Sequence, residues 1–299
     1  MLPAHVKNKL IILSGKFSLP VIALRFVVFA NFFITLCAVV MSIYTSVFFS
    51  MEINIALLLF TASGTLCSYS FHWLLPSAHT LLSPREKWSL ANRNILFILF
   101  FAGSAGAVYS AYLLWEHLPA LLPLAILTFL YSSGKLPRGP FVFFRKYFIG
   151  KTIYLALMWS LVTVYLPVVI SNAEWKMAHT LFLLNRFFFL FAVCILFDLR
   201  DKELDALQGI RSLITMLTRS SIKYIYFISL IISLITGACL IHSEYTVMEL
   251  IILNFPVIAA ALIYGYSTQT RSELWFYFVL DGFMMLSGAA SIIYAVILA

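Results

Sequence analysis

The sequence predicts an all-α integral membrane protein, a bundle of about nine transmembrane helices, and three observations predict it. The first is composition. Of 299 residues, 63% are hydrophobic and 11% charged, and mean hydropathy is +0.99. A soluble domain is roughly half apolar and a quarter charged, so a bilayer is the solvent that suits this chain. The second is the recurrence of apolar runs, each near the ~20 residues with which a helix crosses ~30 Å of hydrocarbon. The third is the alternation of basic residues between the two sides of those runs.

One transmembrane domain is expected over 1–299, with spans at about 20–44, 54–75, 94–115, 119–133, 151–171, 178–197, 222–241, 248–266 and 275–297. The fourth is short and carries Pro119 and Pro123, so a broken or tilted helix is expected there. Lys7, Lys9, Lys16 and Arg25 precede or open the first span, and Arg85, Lys87 and Arg93 follow the second. Lys135, Arg138, Arg145, Lys146 and Lys151 follow the fourth, Arg200, Lys202, Arg211, Arg219 and Lys223 the sixth, and Arg271 the eighth. The opposite loops carry Glu52, Glu116, Glu174, Glu244 and Glu249, with Lys176 as the basic exception. The positive-inside rule then puts the N-terminus in the cytoplasm and, for an odd number of spans in the cell membrane, the C-terminus outside. The net charge of +8 reads as topology signal and contact with anionic lipid, not nucleic-acid binding.

Residues 1–19 are basic, and the first span is too long for the apolar core of a signal peptide, so no cleavage is expected. Cys37, Cys67, Cys194 and Cys239 stand singly in expected spans, which indicates neither a disulfide framework nor a metal-thiolate site. After the second span, Ser83, Pro84 and Glu86 form a capping-box pattern that predicts a short surface helix, with Trp88 as a lipid anchor.

The chemistry-bearing stretch is Phe197 to Leu213, FDLRDKELDALQGIRSL, which holds four of the twelve acidic residues. If the sixth helix continues past the membrane, Asp198, Asp201 and Asp205 share a face while Glu203 points away. Three like charges on one face call for a cation between them, and hard oxygen ligands of this kind suit magnesium together with substrate phosphates. Gly209 would end the helix and Arg211 would meet a phosphate. The plainer reading is a solvated loop helix whose acids are balanced by Arg200 and Lys202.

This cluster, with Asp201, Asp205, Gly209 and Arg211 after the sixth of nine spans, resembles the second aspartate motif of the UbiA superfamily of intramembrane prenyltransferases. The resemblance implies a helical bundle with a central cavity open to the cytoplasmic side and to lipid. It implies magnesium-dependent transfer of a prenyl group from an allylic diphosphate to a hydrophobic acceptor, the metal held between two aspartate motifs. The first of those motifs is absent here. The corresponding segment, Cys67 to Trp88, contains no Asp and instead offers Tyr69, Ser70, His72, Trp73 and Glu86. Either His72 and Glu86 serve a modified site, or the chain does something other than ordinary prenyl transfer.

On this reading Asp201 and Asp205 hold metal, Asp198 assists, and Arg211 and Lys151 contact diphosphate, with His72 and Tyr69 nearby. Arg186, inside the sixth span, calls for a cavity or a partner. Asn31 and Asn254 read as interhelical hydrogen-bonders. Asp281 lies six residues into the last span, too deep to be a loop charge, so it is expected to face the bundle interior as an acid/base group, a counter-charge or a helix tie. Two other classes remain open: a relative that binds an isoprenoid or lipid without transfer, and a transporter. Against a transporter stand the acids gathered at one face and the lack of paired, Gly/Pro-interrupted spans.

Overall fold

A computed structural model describes residues 19–75, 83–133, 150–207, 212–243, 245–270 and 272–298. Among these residues the regular structure is entirely helical. The helices are α1 (Leu19–Phe29), α2 (Phe32–Phe48), α3 (Ile55–Leu74), α4 (Pro84–Ala91), α5 (Arg93–Leu113) and α6 (Leu118–Ser133). Then come α7 (Lys151–Ile170), α8 (Met177–Leu207), α9 (Leu213–Met216), α10 (Arg219–Ala238), α11 (Val247–Ser267) and α12, a π-helix at Trp275–Leu280 continued by Asp281–Leu298.

Among the described residues seven helices are long and apolar enough to cross a membrane, or eight if the bent pair α1–α2 is one span. The expected count of nine is approached only by adding the short apolar stretch Trp115–Tyr131, which has the length expected of a broken or tilted span. The first expected span is not one straight helix. It bends by 63° at Ala30–Asn31, where Asn31 takes the left-handed conformation with φ 68°. Asn is among the few residues that visit this region at small cost, because its short polar side chain bonds locally.

Neighbouring helices form a closed circuit, α2–α3–α6–α7–α8–α10–α11–α12 and back to α2, with α5 packed on the outside of α3. The α3–α5 contact is close because Gly103 lets backbone meet backbone. A Cβ at Gly103 would lie 2.7 Å from the amide nitrogen of Cys67 and 2.9 Å from the carbonyl oxygen of Ser63. Inside the circuit, Phe33, Ile34, Met41, Leu190, Phe191 and Leu280 form a packed apolar core. An open surface groove of about 710 Å³ runs along the outer side of α5, lined by Phe101, Ser104, Val108 and Tyr112.

The polar ties within the bundle follow from backbone chemistry. Pro167 has no N–H, so the carbonyl of Thr163 four residues earlier loses its helical partner, and the local winding opens into a π-helix at Leu161–Tyr165. That carbonyl accepts instead from Thr45 Oγ1 at 2.6 Å and from Arg186 Nη1 at 3.1 Å. Arg186 Nη1 also donates to the Met41 carbonyl at 3.0 Å and to Thr45 Oγ1 at 2.9 Å, and the guanidinium lies 4.8 Å from the Phe182 ring. The buried cation thus joins α2, α7 and α8. A second tie is amide-based: Asn185 Nδ2 donates to the Ser233 carbonyl at 2.7 Å and meets Asn254 Oδ1 at 3.4 Å.

Gly103→Ala is expected to lower thermal stability in detergent by about 1–3 kcal/mol, the usual cost of overpacking, because backbone atoms cannot move aside. Gly150→Ala, where a Cβ meets nothing within 4 Å, serves as the control. Equal melting of the two variants would refute the close-contact account.

Candidate functional site

One end of the bundle, where α3 and α8 finish and α7 and α12 begin, concentrates the charged side chains. Here α4 is folded onto the core by its own sequence. Ser83 and Glu86 form the expected capping box: the Ser83 amide donates to Glu86 Oε2 at 2.7 Å and the Glu86 amide to Ser83 Oγ at 3.2 Å. Such a cap is worth about 1 kcal/mol and fixes which face of the short helix turns inward. Arg85, Trp88 and Ser89 share that face at i, i+3 and i+4 spacing. Trp88 packs edge-on against Phe26 and Phe29 of α1, so it anchors α4 to the rest of the protein.

Arg85 is the centre of the site, with 2% of its surface exposed. Its guanidinium sits in the corner of two nearly perpendicular rings, 4.3 Å from Trp73 and 4.1 Å from Tyr277, with Phe29 at 5.7 Å. Nη2 donates to Asn31 Oδ1 at 2.7 Å, and Asn31 Nδ2 donates to Ser70 Oγ at 3.3 Å. The left-handed Asn31 that bends the first span therefore connects α3 and α4 to the α1–α2 break. Among the described residues, Nε of Arg85 is buried without a hydrogen-bond partner and no carboxylate lies within ion-pair distance of the guanidinium. Burial pulls this group below its ordinary pKa, opposed by Tyr277, Asp281 and Glu273.

Beside Tyr277 stands a second, partly buried guanidinium, Arg200 of α8, 5.0 Å from the same ring and 4.6 Å from Phe276. It pairs fork to fork with its neighbour Asp201, Nε to Oδ1 and Nη2 to Oδ2, each at 2.8 Å, and Nη2 also reaches the Tyr277 hydroxyl at 3.1 Å. Asp198 turns to α7 instead, accepting from Thr152 Oγ1 and lying 3.6 Å from Lys151 Nζ. Asp205 is buried near the end of α8.

The sixth helix does run past the apolar segment, to Leu207, as the sequence indicates. Its acids do not converge on one point: Asp198 faces Lys151 and Asp201 faces Arg200. Among the described residues no group of three or more His, Cys, Asp or Glu side chains is placed to hold a metal ion. Lys151 reaches the cluster through Asp198. Tyr69 lies edge-on to Trp159 at 6.3 Å and packs against the core at this end. His72 stacks on Tyr131 and touches Trp73, in an aromatic setting. Glu86, weighed above as part of a modified site, has one oxygen given to its cap. Arg186 is a correction. It sits twelve residues before Asp198, about 18 Å along the helix, and its bonds go to α2 and α7, so it ties helices and does not belong to this cluster. Asp281 is buried, as its depth indicates, and its carbonyl accepts from Cys37 Sγ at 3.4 Å. Gly209, Arg211 and His79 lie outside the described residues.

Sequence reasoning counted Arg85 only as a topology charge. The signal that could have found it is the capping box, which sets the phase of α4 and so places Arg85 beside Trp88 on its inner face.

No family model matches the chain, and neither the curated proteins nor the solved structures include a match. The fold defines a class nonetheless: an all-helical, multi-pass membrane protein with a charged and aromatic cluster at one end of its bundle.

Glu273, just before α12, has a buried Oε2 without a hydrogen bond. Burial raises its pKa above the model-compound value of 4.5, with Arg200 and Arg85 opposing and Asp201 and Glu86 adding to the rise. A raised folded-state pKa means that the fold prefers the protonated acid. That preference contributes fully below pH 4.5 and is lost as pH rises through the folded value. Glu273→Gln should therefore match or exceed the parent's melting temperature at pH 7.5, with any advantage shrinking toward pH 4.5. Melting curves in detergent across that range check it, and an advantage that grew on acidification would contradict it.

Proposed function

We propose that this protein is a membrane-embedded transferase that moves a prenyl group from an allylic diphosphate to a lipophilic acceptor. The observation that carries the proposal is the joining of Arg85, Arg200 and Asp201 around Tyr277, at the end of the bundle that also holds Lys151 and Asp198. A diphosphate needs cations at its head and apolar surface along its chain. Arg85, Arg200 and Lys151 supply the first, and the aromatic wall of Trp73, Phe197 and Phe276 supplies the second. The resemblance of 198–213 to the second aspartate motif of the UbiA superfamily supports the same reading.

In the proposed reaction the allylic C–O bond breaks, the diphosphate leaves with the electron pair, and the allylic cation is met by a nucleophilic atom of the acceptor, which then gives up a proton. Guanidinium and ammonium groups lower the barrier to the first step by stabilising charge that grows on the leaving group. Aromatic faces shelter the cation. Asp281, buried on the same side of the bundle, is the proposed acceptor of the proton. Magnesium, implied by the resemblance, would fall to Asp201, Asp205 and Asp198. As placed, these side chains do not fit a divalent ion, since Asp201 is held by Arg200 and Asp198 by Lys151 and Thr152. No step is derived through the metal. The same neutralisation favours a second reading, a protein that binds an isoprenoid diphosphate without transferring it.

Purified protein incubated with labelled allylic diphosphates, with and without magnesium, tests the proposal. Consumption of one of them, reduced roughly a hundredfold or more in Arg200→Gln and Lys151→Gln, is the expected result, on the scale at which a lost electrostatic stabiliser is felt in other enzymes. Binding without consumption would select the second reading, and neither binding nor consumption would reject both.

A further inference from the structure

Among the described residues Arg85 is a buried cation with no acid within ion-pair distance. It is 2% exposed and has five N–H donors, yet among the described residues its only hydrogen bond is the one from Nη2 to Asn31. The Trp73 and Tyr277 rings stand nearly perpendicular to each other, 82° apart, and wall the guanidinium on two adjacent sides, while Nε is left unpartnered among the described residues. A second guanidinium, Arg200, shares the Tyr277 ring but is paired with Asp201. Glu273 and Asp281 act on Arg85 through space without bonding to it. Of the two cations beside this ring, Arg200 is bonded to a carboxylate and, among the described residues, Arg85 is not, which leaves unused guanidinium donors in a water-poor setting. An anion with several acceptor oxygens and tetrahedral spread answers such donors.

We propose that Arg85 is a phosphate receptor that binds the head of an amphipathic phosphate or diphosphate ester without a divalent metal. Trp73, Tyr277 and Asn31 hold the guanidinium flat and fixed, so its fork is organised before the ligand arrives and little side-chain freedom is lost on binding. Arg85 comes from the segment next to α3, where the resemblance would place metal-binding acids, and it brings the positive charge itself. The inference rests on reading the site as a receptor for an isoprenoid diphosphate, and it adds the residue and the metal independence.

Binding of a labelled allylic diphosphate to the detergent-purified full chain, measured in EDTA and in magnesium, tests it. Inorganic pyrophosphate and phosphatidic acid in mixed micelles serve as competitors. The expected result is binding in EDTA that weakens at least tenfold in R85Q. Because Arg85 also holds Asn31, R85Q is scored only if it elutes as a single species. R85K, which keeps the charge and loses the planar fork, is the second variant and should also weaken binding. Wild-type binding that strictly requires magnesium, or binding unchanged in both variants, overturns the role of Arg85 and leaves the diphosphate reading standing. Displacement by phosphatidic acid at the affinity of the allylic ester supports the phosphate receptor but assigns it to a lipid headgroup, against the diphosphate reading. Absence of binding under every condition overturns both.

Discussion

A helix bundle in hydrocarbon can draw a charge inside only if the protein supplies everything water would have supplied, and the placement of Arg85 shows how that is done here. Two nearly perpendicular rings at 4.1 and 4.3 Å wall the guanidinium on adjacent sides, and a third ring lies at 5.7 Å. Desolvated cation–π contacts of this kind are worth about 2 kcal/mol, which offsets part of the cost of removing the charge from water. The remaining tie, to Asn31, passes directly into the backbone. Asn31 adopts its left-handed conformation at the bend between α1 and α2, and its amide holds both Arg85 and Ser70. The bend, the docking of α4 and the end of α3 are consequences of one polar contact.

The same logic governs the other buried arginine. Pro167 removes an N–H from α7, a π segment forms, and the freed Thr163 carbonyl draws in Arg186 and Thr45. Both guanidiniums are thus answers to backbone irregularities, Asn31 in one case and Pro167 in the other. They differ in what is left over. The in-plane hydrogen bonds of Arg186 go to Met41, Thr45 and Thr163, whereas Arg85 has a single hydrogen bond and an unpartnered Nε. This contrast separates a residue that holds the bundle together from one with capacity for a ligand.

The charged end of the bundle is arranged as local pairs and not as one cluster of acids. Asp201 meets Arg200, Asp198 meets Lys151, and Glu203 meets Arg219 at the exposed rim. An exposed pair such as the last contributes little, about 0–1 kcal/mol. The Arg200–Asp201 pair is part of the wall beside Tyr277 and positions that ring for Arg85. Function at this end therefore depends on how cations and rings are interleaved across α3, α4, α8 and α12.

Much of this architecture is legible in the sequence because hydrocarbon imposes simple rules. Apolar runs of about 20 residues mark helices, basic residues mark one end, and Ser83, Pro84 and Glu86 mark the start of α4. The depth of Asp281 places it inside the bundle, and α8 continues through the acidic stretch to Leu207. The sequence by itself determined the helices, their shared charged end and the residues available there. Only the tertiary structure decided that the first span bends at Asn31, that Arg186 staples helices, and that Asp198 and Asp201 turn to different cations. It also decided that Arg85, one basic residue among twenty, sits in the corner formed by Trp73 and Tyr277. The physical reason is that helical periodicity fixes which residues share a face of one helix, whereas the partner of a charge is chosen by which helix packs against that face.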